Sequence, residues 1–330
     1  MLAAFIEETG PPEVIRYGRL PDPQAGPGQV LVRVKAVAVN PVDTYIRGGA
    51  SFWELPFPFV IGCDLAGVVE AVGEGVSRFS VGDRVWATNQ GLLGRQGTFA
   101  ELAVVDECWL YELPDGVDFD TGAACALVGV TAHLGLFREA GLRAGERLFV
   151  QGGSGGVGSM VVQMAKAAGA EVMASAGSPA KAEICRELGA DNVVNYRMAS
   201  IAESVRQWAP EGVHVFWETQ REPDFDLAVE VMAERGRMIL MAGRDARPEF
   251  PVGPFYVKEC SLHGFVMFKA TPEEMRRCAE DMNRWLVEGK LRPRIDRVMP
   301  LAEAAEAHRL QEAATVEKTA ELAGKIVLHP

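Results

Sequence analysis

Residues Gly152-Gly153-Ser154-Gly155-Gly156-Val157-Gly158 decide the fold, because of what lies on either side of them. Arg147-Leu148-Phe149-Val150 precedes them and reads as a short buried parallel strand. Met160 to Ala168 follows, with apolar residues at helical spacing. Gly153, Gly155 and Gly158 therefore carry a dinucleotide fingerprint in a strand–turn–helix setting. Such glycines permit the tight turn, let backbone approach a pyrophosphate, and let helix and strand pack closely. The helix N-terminus then faces the phosphates. Ser154, Gly156 and Val157 complete the loop.

The next strand, Glu171-Val172-Met173-Ala174-Ser175, bears on which nucleotide binds. A site for NAD usually ends this strand in Asp or Glu, roughly 20 residues after the glycines, to hold the ribose 2′-hydroxyl. Here the chain reads Ser175-Ala176-Gly177-Ser178-Pro179-Ala180-Lys181, with hydroxyls and a cation but no acid. An acid would repel a 2′-phosphate, whereas Ser178 and Lys181 would bind it by charge-assisted hydrogen bonds. Lys181 also reads as a solvated lysine in a first helical turn, so the missing acid is the stronger half of the argument. NADPH is the expected cofactor.

The 330 residues suggest two domains with sizeable cores. A net charge of −12 argues against a nucleic-acid binder, which needs a basic face. No apolar run reads as long enough to span a bilayer, and Met1-Leu2-Ala3-Ala4-Phe5 lacks the basic start of a secretory signal. The six cysteines are scattered without a CxxC pair, as expected of reduced thiols in a cytoplasmic protein.

From Gln29 to Trp86 the chain offers short strand-like runs broken by Gly and Pro, which suit a barrel-like domain. From Leu142 onward, strands alternate with helices: after the two strands above come Asn192–Asn195, Val213–Trp217 and Arg237–Met241, with a helix over Asp224–Glu234. Helices over Pro272–Glu288 and Ala302–Glu312 follow, and Lys325-Ile326-Val327-Leu328 closes the chain. The expected plan is α/β: a β-barrel domain over 1–125 and 270–330, and a doubly wound parallel-sheet nucleotide domain over 126–269.

These motifs in this order resemble the medium-chain dehydrogenase/reductase superfamily, in its zinc-free quinone oxidoreductase (zeta-crystallin-like) branch. The resemblance covers nearly the whole chain. It rests on Val39 to Gly49 (VNPVDTYIRGG), Pro58 to Gly67 (PFVIGCDLAG), Gly97-Thr98-Phe99-Ala100-Glu101, Gly129-Val130-Thr131-Ala132, the glycine loop, and Glu187-Leu188-Gly189-Ala190-Asp191. It implies a GroES-like barrel joined to a Rossmann domain, a homodimer, and hydride transfer from NADPH to a quinone or an α,β-unsaturated carbonyl. Enoyl-thioester reduction, or non-catalytic binding of NADPH as in lens crystallins, are the alternatives. Zinc-dependent members carry a Cys, a Gly-His-Glu and a further Cys. The corresponding places here are Asn40-Pro41-Val42-Asp43, Gly62-Cys63-Asp64 and the vicinity of Val128. A catalytic zinc needs three protein ligands, so no metal is expected.

By the same resemblance Asn40 and Tyr45 line the substrate pocket, where an amide and a phenol would hydrogen-bond a substrate carbonyl. Asn40 before Pro41 also reads as a plain turn residue, and Tyr45 as a half-buried tyrosine satisfied elsewhere. Phe52 and Trp53 stand where many relatives have a tyrosine, and supply an aromatic surface for a flat substrate. Gln90 and Arg95 read as a polar surface loop. Tyr196 matches a residue that joins Lys181 around the 2′-phosphate. Thr131, Ala242-Gly243-Arg244 and Phe265-Val266-Met267 match segments that contact the nicotinamide half. Trp217-Glu218-Thr219-Gln220 departs from the family's pattern.

Overall fold

Strand Gln29–Ala38 buries alternate residues along most of its length, the mark of a strand with one face in a core. It pairs antiparallel with Asp64–Val72 on one side. Its other side takes Leu102–Asp106 at one end and Lys325–His329 at the other. This is the centre of the first of two units in a computed structural model of the chain, which describes every residue except Phe52, Lys318, Ala320 and Glu321. The first unit comprises residues 1–127, 268–287 and 292–330; the second comprises 128–267 and 288–291.

In the first unit a seven-stranded sheet runs Ile295–Pro300, Lys325–His329, Gln29–Ala38, Asp64–Val72, Arg84–Ala87, Leu110–Glu112, with Leu102–Asp106 as the branch. A three-stranded sheet, Arg16–Arg19, Leu2–Ile6 and Phe59–Val60, lies beside it, linked by a bridge from Ala3 to Ala100. Their inward faces share one apolar core including Ile6, Val32, Leu65, Phe99, Ile326 and Leu328. Each such side chain contributes about 1.5–3 kcal/mol by leaving water. The C-terminal strand therefore completes a sheet begun near residue 29.

The second unit is a six-stranded, all-parallel sheet in the order Asn192–Asn195, Glu171–Ala176, Arg147–Val150, Val213–Glu218, Met232–Leu240, Ser261–Gly264. Counted along the chain this is 3-2-1-4-5-6, the doubly wound order, and it reverses between Arg147–Val150 and Val213–Glu218. The expected helix over Asp224–Glu234 ends earlier, at Val231, where Met232 already pairs with Val213 as strand. Pairing overrides helix propensity there.

One expectation is corrected. Phe119–Glu139 forms a 21-residue helical segment apolar enough to cross a bilayer by length and composition. Asp120, Thr121, Thr131 and His133 interrupt it, so no unbroken apolar run shows in the sequence. Of its most apolar stretch, 78% is buried within the protein, as in a core helix.

Candidate functional site

The glycine loop leaves the strand Arg147–Val150 and enters the helix Gly156–Ala167, with Gly155 as N-cap. Gly152 holds φ +78°, a conformation side chains disfavour. A Cβ on Gly153 would sit 2.6 Å from the Ala174 Cβ, and one on Gly158 would sit 2.2 Å from the Gly152 carbonyl oxygen. At Gly155 such an atom meets only the Gly152 oxygen, at 3.4 Å. Gly153 and Gly158 are thus held by packing, while Gly155 stands exposed at the helix entrance, a position whose free backbone N–H groups suit an anion. Ser154 is buried; Gly156 and Val157 are half-buried in the first turn. The Gly153 N–H donates to the Ser175 carbonyl at 3.1 Å, and the Gly152 N–H to the Ser175 hydroxyl at 3.1 Å. These bonds fasten the loop to the second strand.

Because the sheet is parallel, all six strands end on one edge. That edge gathers the loop, Gly177 and Ser178 after the second strand, Tyr196 after the third, Ala242-Gly243-Arg244 after the fifth and Phe265-Val266-Met267 after the sixth. Ser178 caps the helix Pro179–Glu187, accepting from the Lys181 N–H at 3.3 Å. The Lys181 ammonium takes part in no ion pair or hydrogen bond among the described residues. Tyr196 is 46% exposed, and its hydroxyl lies 2.4 Å from where a Gly177 Cβ would stand. Gly177 therefore gives the phenol room just before the helix that Ser178 caps. Gly243 packs on the Arg221 carbonyl with φ +81°. Thr131 is buried, and its hydroxyl has no partner among the described residues.

The turn after the fourth strand has its own architecture. Glu218 is fully buried and accepts the Gln220 N–H at 2.6 Å. Burial pushes its carboxyl up to about 7. A Cβ on Gly135 would stand 2.2 Å from the Trp217 ring, so the helix approaches this strand closely. Glu218 is one residue the sequence reading left without a role.

In the first unit, Asn40 precedes the helix Pro41–Arg47 and is fully buried. Its backbone N–H donates to Asp43 at 2.8 Å, while its carboxamide turns inward. The amide nitrogen donates to Asp64 at 2.8 Å and to the Ala38 carbonyl at 3.3 Å. The amide oxygen accepts from the buried Lys325 ammonium, which also donates to the Val39 carbonyl at 2.7 Å. Both amide hydrogens assigned in sequence to a substrate carbonyl are thus engaged inside the protein. The reason is the buried charge on either side of Asn40, which sequence did not place there.

Tyr45 is half-buried on the same helix. Trp53 packs edge-on to Phe268, with ring centroids 5.9 Å apart. Its indole N–H is buried without a partner among the described residues. Phe52 lies outside the described residues. Gln90 is buried, its amide donating to the Thr88 carbonyl at 3.1 Å, and Arg95 grips the Asn89 carbonyl at 2.8 and 3.0 Å. The expected polar surface loop is corrected: these side chains hold their loop from within.

Electrostatics at Asn40 follow from burial. It pushes Asp43 up to about 7, against the hydrogen bonds from the Cys63 thiol and the Asn40 N–H. Asp64 is also raised by burial, opposed by Lys325 and Asn40, and burial lowers Lys325, opposed by Asp64 and Asp43. Burial and the two carboxyls drive the Cys63 thiol well up, which makes it a poor metal ligand. Among the described residues, no three His, Cys, Asp or Glu side chains gather as a metal site.

The family model for the alcohol dehydrogenase GroES-like domain matches residues 26–115, and that for zinc-binding dehydrogenases matches 156–284. The quinone oxidoreductase of Homo sapiens is 33% identical over 310 residues, covering 93% of each chain. A solved NAD-dependent alcohol dehydrogenase superimposes with TM-score 0.90 at 32% identity, covering 100% of both chains. A mycobacterial protein solved with NADPH superimposes with TM-score 0.85 at 30% identity, again over 100% of both. The chain belongs to the medium-chain dehydrogenase/reductase superfamily, in its quinone oxidoreductase branch.

Proposed function

We propose that this protein is an NADPH-dependent reductase of quinones or related α,β-unsaturated carbonyls. The observation that carries the cofactor half is the Lys181 ammonium, unpaired among the described residues, on the helix capped by Ser178, with the Tyr196 hydroxyl against Gly177 just before that helix and no acid at the end of Glu171–Ala176. That set suits a 2′-phosphate and gives a 2′-hydroxyl no acceptor carboxylate. The glycine loop has the backbone geometry for the pyrophosphate. When bound, the dinucleotide supplies a hydride.

The chain's own residues then bind, orient and polarise the acceptor. Tyr45 offers its phenol to the acceptor carbonyl, where charge grows as hydride arrives. Asn40 supports the helix that carries Tyr45 from beneath. Trp53 offers a flat surface. The names of the relatives, quinone oxidoreductases over nearly the full length, support this acceptor class. A cytoplasmic homodimer accompanies this reading: strand Ser261–Gly264 is an edge of the parallel sheet, with Leu262 exposed and Tyr256 and Val257 exposed nearby in sequence.

Following NADPH absorbance against quinones, enones and enoyl thioesters tests the reading. Tyr45→Phe is expected to slow turnover of the best acceptor about 10-fold or more, with NADPH affinity unchanged. NADPH binding without turnover on any acceptor would show a binding protein instead.

A further inference from the structure

The carboxamide of Asn40 lies between a buried cation and a buried anion. Its oxygen faces the Lys325 ammonium, and its nitrogen faces the Asp64 carboxylate at 2.8 Å. Turning the amide over would set N–H against ammonium and carbonyl against carboxylate, so charge fixes its orientation at both ends. The lysine is 285 residues away in sequence, and the sheet brings it there: Val327 pairs with Ala38, and the Val39 N–H donates to the Ile326 carbonyl at 3.0 Å.

A helix-entry asparagine normally turns its oxygen onto the backbone N–H groups of the first turn. Here the oxygen also faces Lys325, and Asp43 accepts the Asn40 N–H in return. We infer that Lys325 is a positioning residue for the proposed reaction: its ammonium holds the Asn40 carboxamide against Asp64, and thereby sets the entry of the helix that carries Tyr45. This inference rests on the reading of Tyr45 as a residue of the acceptor pocket. The effect is expected at the acceptor step, with NADPH affinity as the control.

Three variants test it: Lys325→Met, Asn40→Ala and the two combined, assayed with the best acceptor at saturating NADPH. Lys325→Met is expected to lower kcat about 10-fold to 100-fold, the scale of a misplaced reacting group, with KM for NADPH unchanged. Asn40→Ala should lose a similar factor, and the double variant should lose no more than either alone, because both changes break one chain of contacts. Additive losses, or parental kcat in folded Lys325→Met, would overturn the inference.

If Lys325→Met fails to fold, Asp64→Asn combined with Lys325→Met removes both charges. It is expected to fold and remain slow; parental turnover in it would reduce the lysine to charge balance and overturn the inference. A readout independent of activity is the side-chain amide of Asn40 in ¹H–¹⁵N spectra, assigned by its loss in Asn40→Ala. It should resist solvent exchange in the parent and exchange freely in Lys325→Met. An unchanged amide overturns the inference. Absence of turnover in the parent overturns the functional reading instead.

Discussion

Arg47 and Glu312 form an ion pair at 2.5 Å that ties the helix Pro41–Arg47 to the helix Ala304–Glu312. Arg47 is only 3% exposed, and its remaining donors reach the Gly10 carbonyl at 3.0 Å and the His308 ring at 3.4 Å. Arg47→Met would leave all three partners without a donor. A loss of up to about 3–5 kcal/mol is expected, the range for breaking a buried pair from one side. Urea unfolding measures it, and a loss below about 1 kcal/mol would show the pair to be ornamental.

His308 makes stability depend on pH with a definite sign. Burial, and the Arg47 charge beside it, lower its pKa from 6.5 to about 3. Above pH 6.5 the imidazole is neutral whether folded or not. Below it, the unfolded chain takes up a proton that the folded ring refuses, so stability falls as pH falls from 6.5 toward 3. Asp43 and Glu218, held up to about 7, act in the opposite sense and lose stability as pH rises toward 7. The contribution of His308 is isolated by comparison with His308→Gln. The parent should lose about 1.4 kcal/mol per pH unit relative to the variant across that window, and parallel pH profiles would refute it.

NADPH should bind more tightly than NADH. A charge-assisted contact is worth about 1.5–3 kcal/mol, so Lys181→Ala is expected to cost roughly tenfold or more for NADPH and little for NADH. Fluorescence titration with both cofactors decides this, and equal affinities in the unmutated protein would reject the assignment.

Gly177→Ala probes the same corner from the backbone. Its new methyl would stand 2.4 Å from the Tyr196 hydroxyl, and the half-exposed phenol would swing away. Weaker NADPH binding with unchanged NADH binding is expected. An equal loss for both would mean that the loop itself, rather than the phenol, had moved.

The nucleotide unit could be read from sequence because its signals are local. Strand, glycine loop and helix lie within about 20 residues, and Asn192–Asn195 was located to the residue. The end of the helix at Val231 was not readable, because strand pairing of Met232 with Val213 decides it. Around Asn40 the limit was different. Lys325 looked like the polar first residue of an apolar strand, and no local pattern ties it to a turn 285 residues earlier. Asp64 drew attention only as a metal ligand, when its partner is an amide. Gln90 and Arg95 misled because a loop held by its own long polar side chains has the composition of a solvated one.

The position of the C-terminal strand bears on how the chain is made. Lys325–His329 sits between Ile295–Pro300 and Gln29–Ala38, an interior place in its sheet. During synthesis the end of Gln29–Ala38 near Val37 and Ala38 waits, with an open edge, for Val327 and Leu328, which are made long after it. Residues 128–267 of the second unit are continuous and have everything needed for their sheet well before then. The nucleotide unit is thus free to mature first, while the unit bearing Asn40 and Tyr45 closes only once Lys325–His329 has been made. Until it closes, its unfilled edge offers unpaired N–H and C=O groups to any other strand.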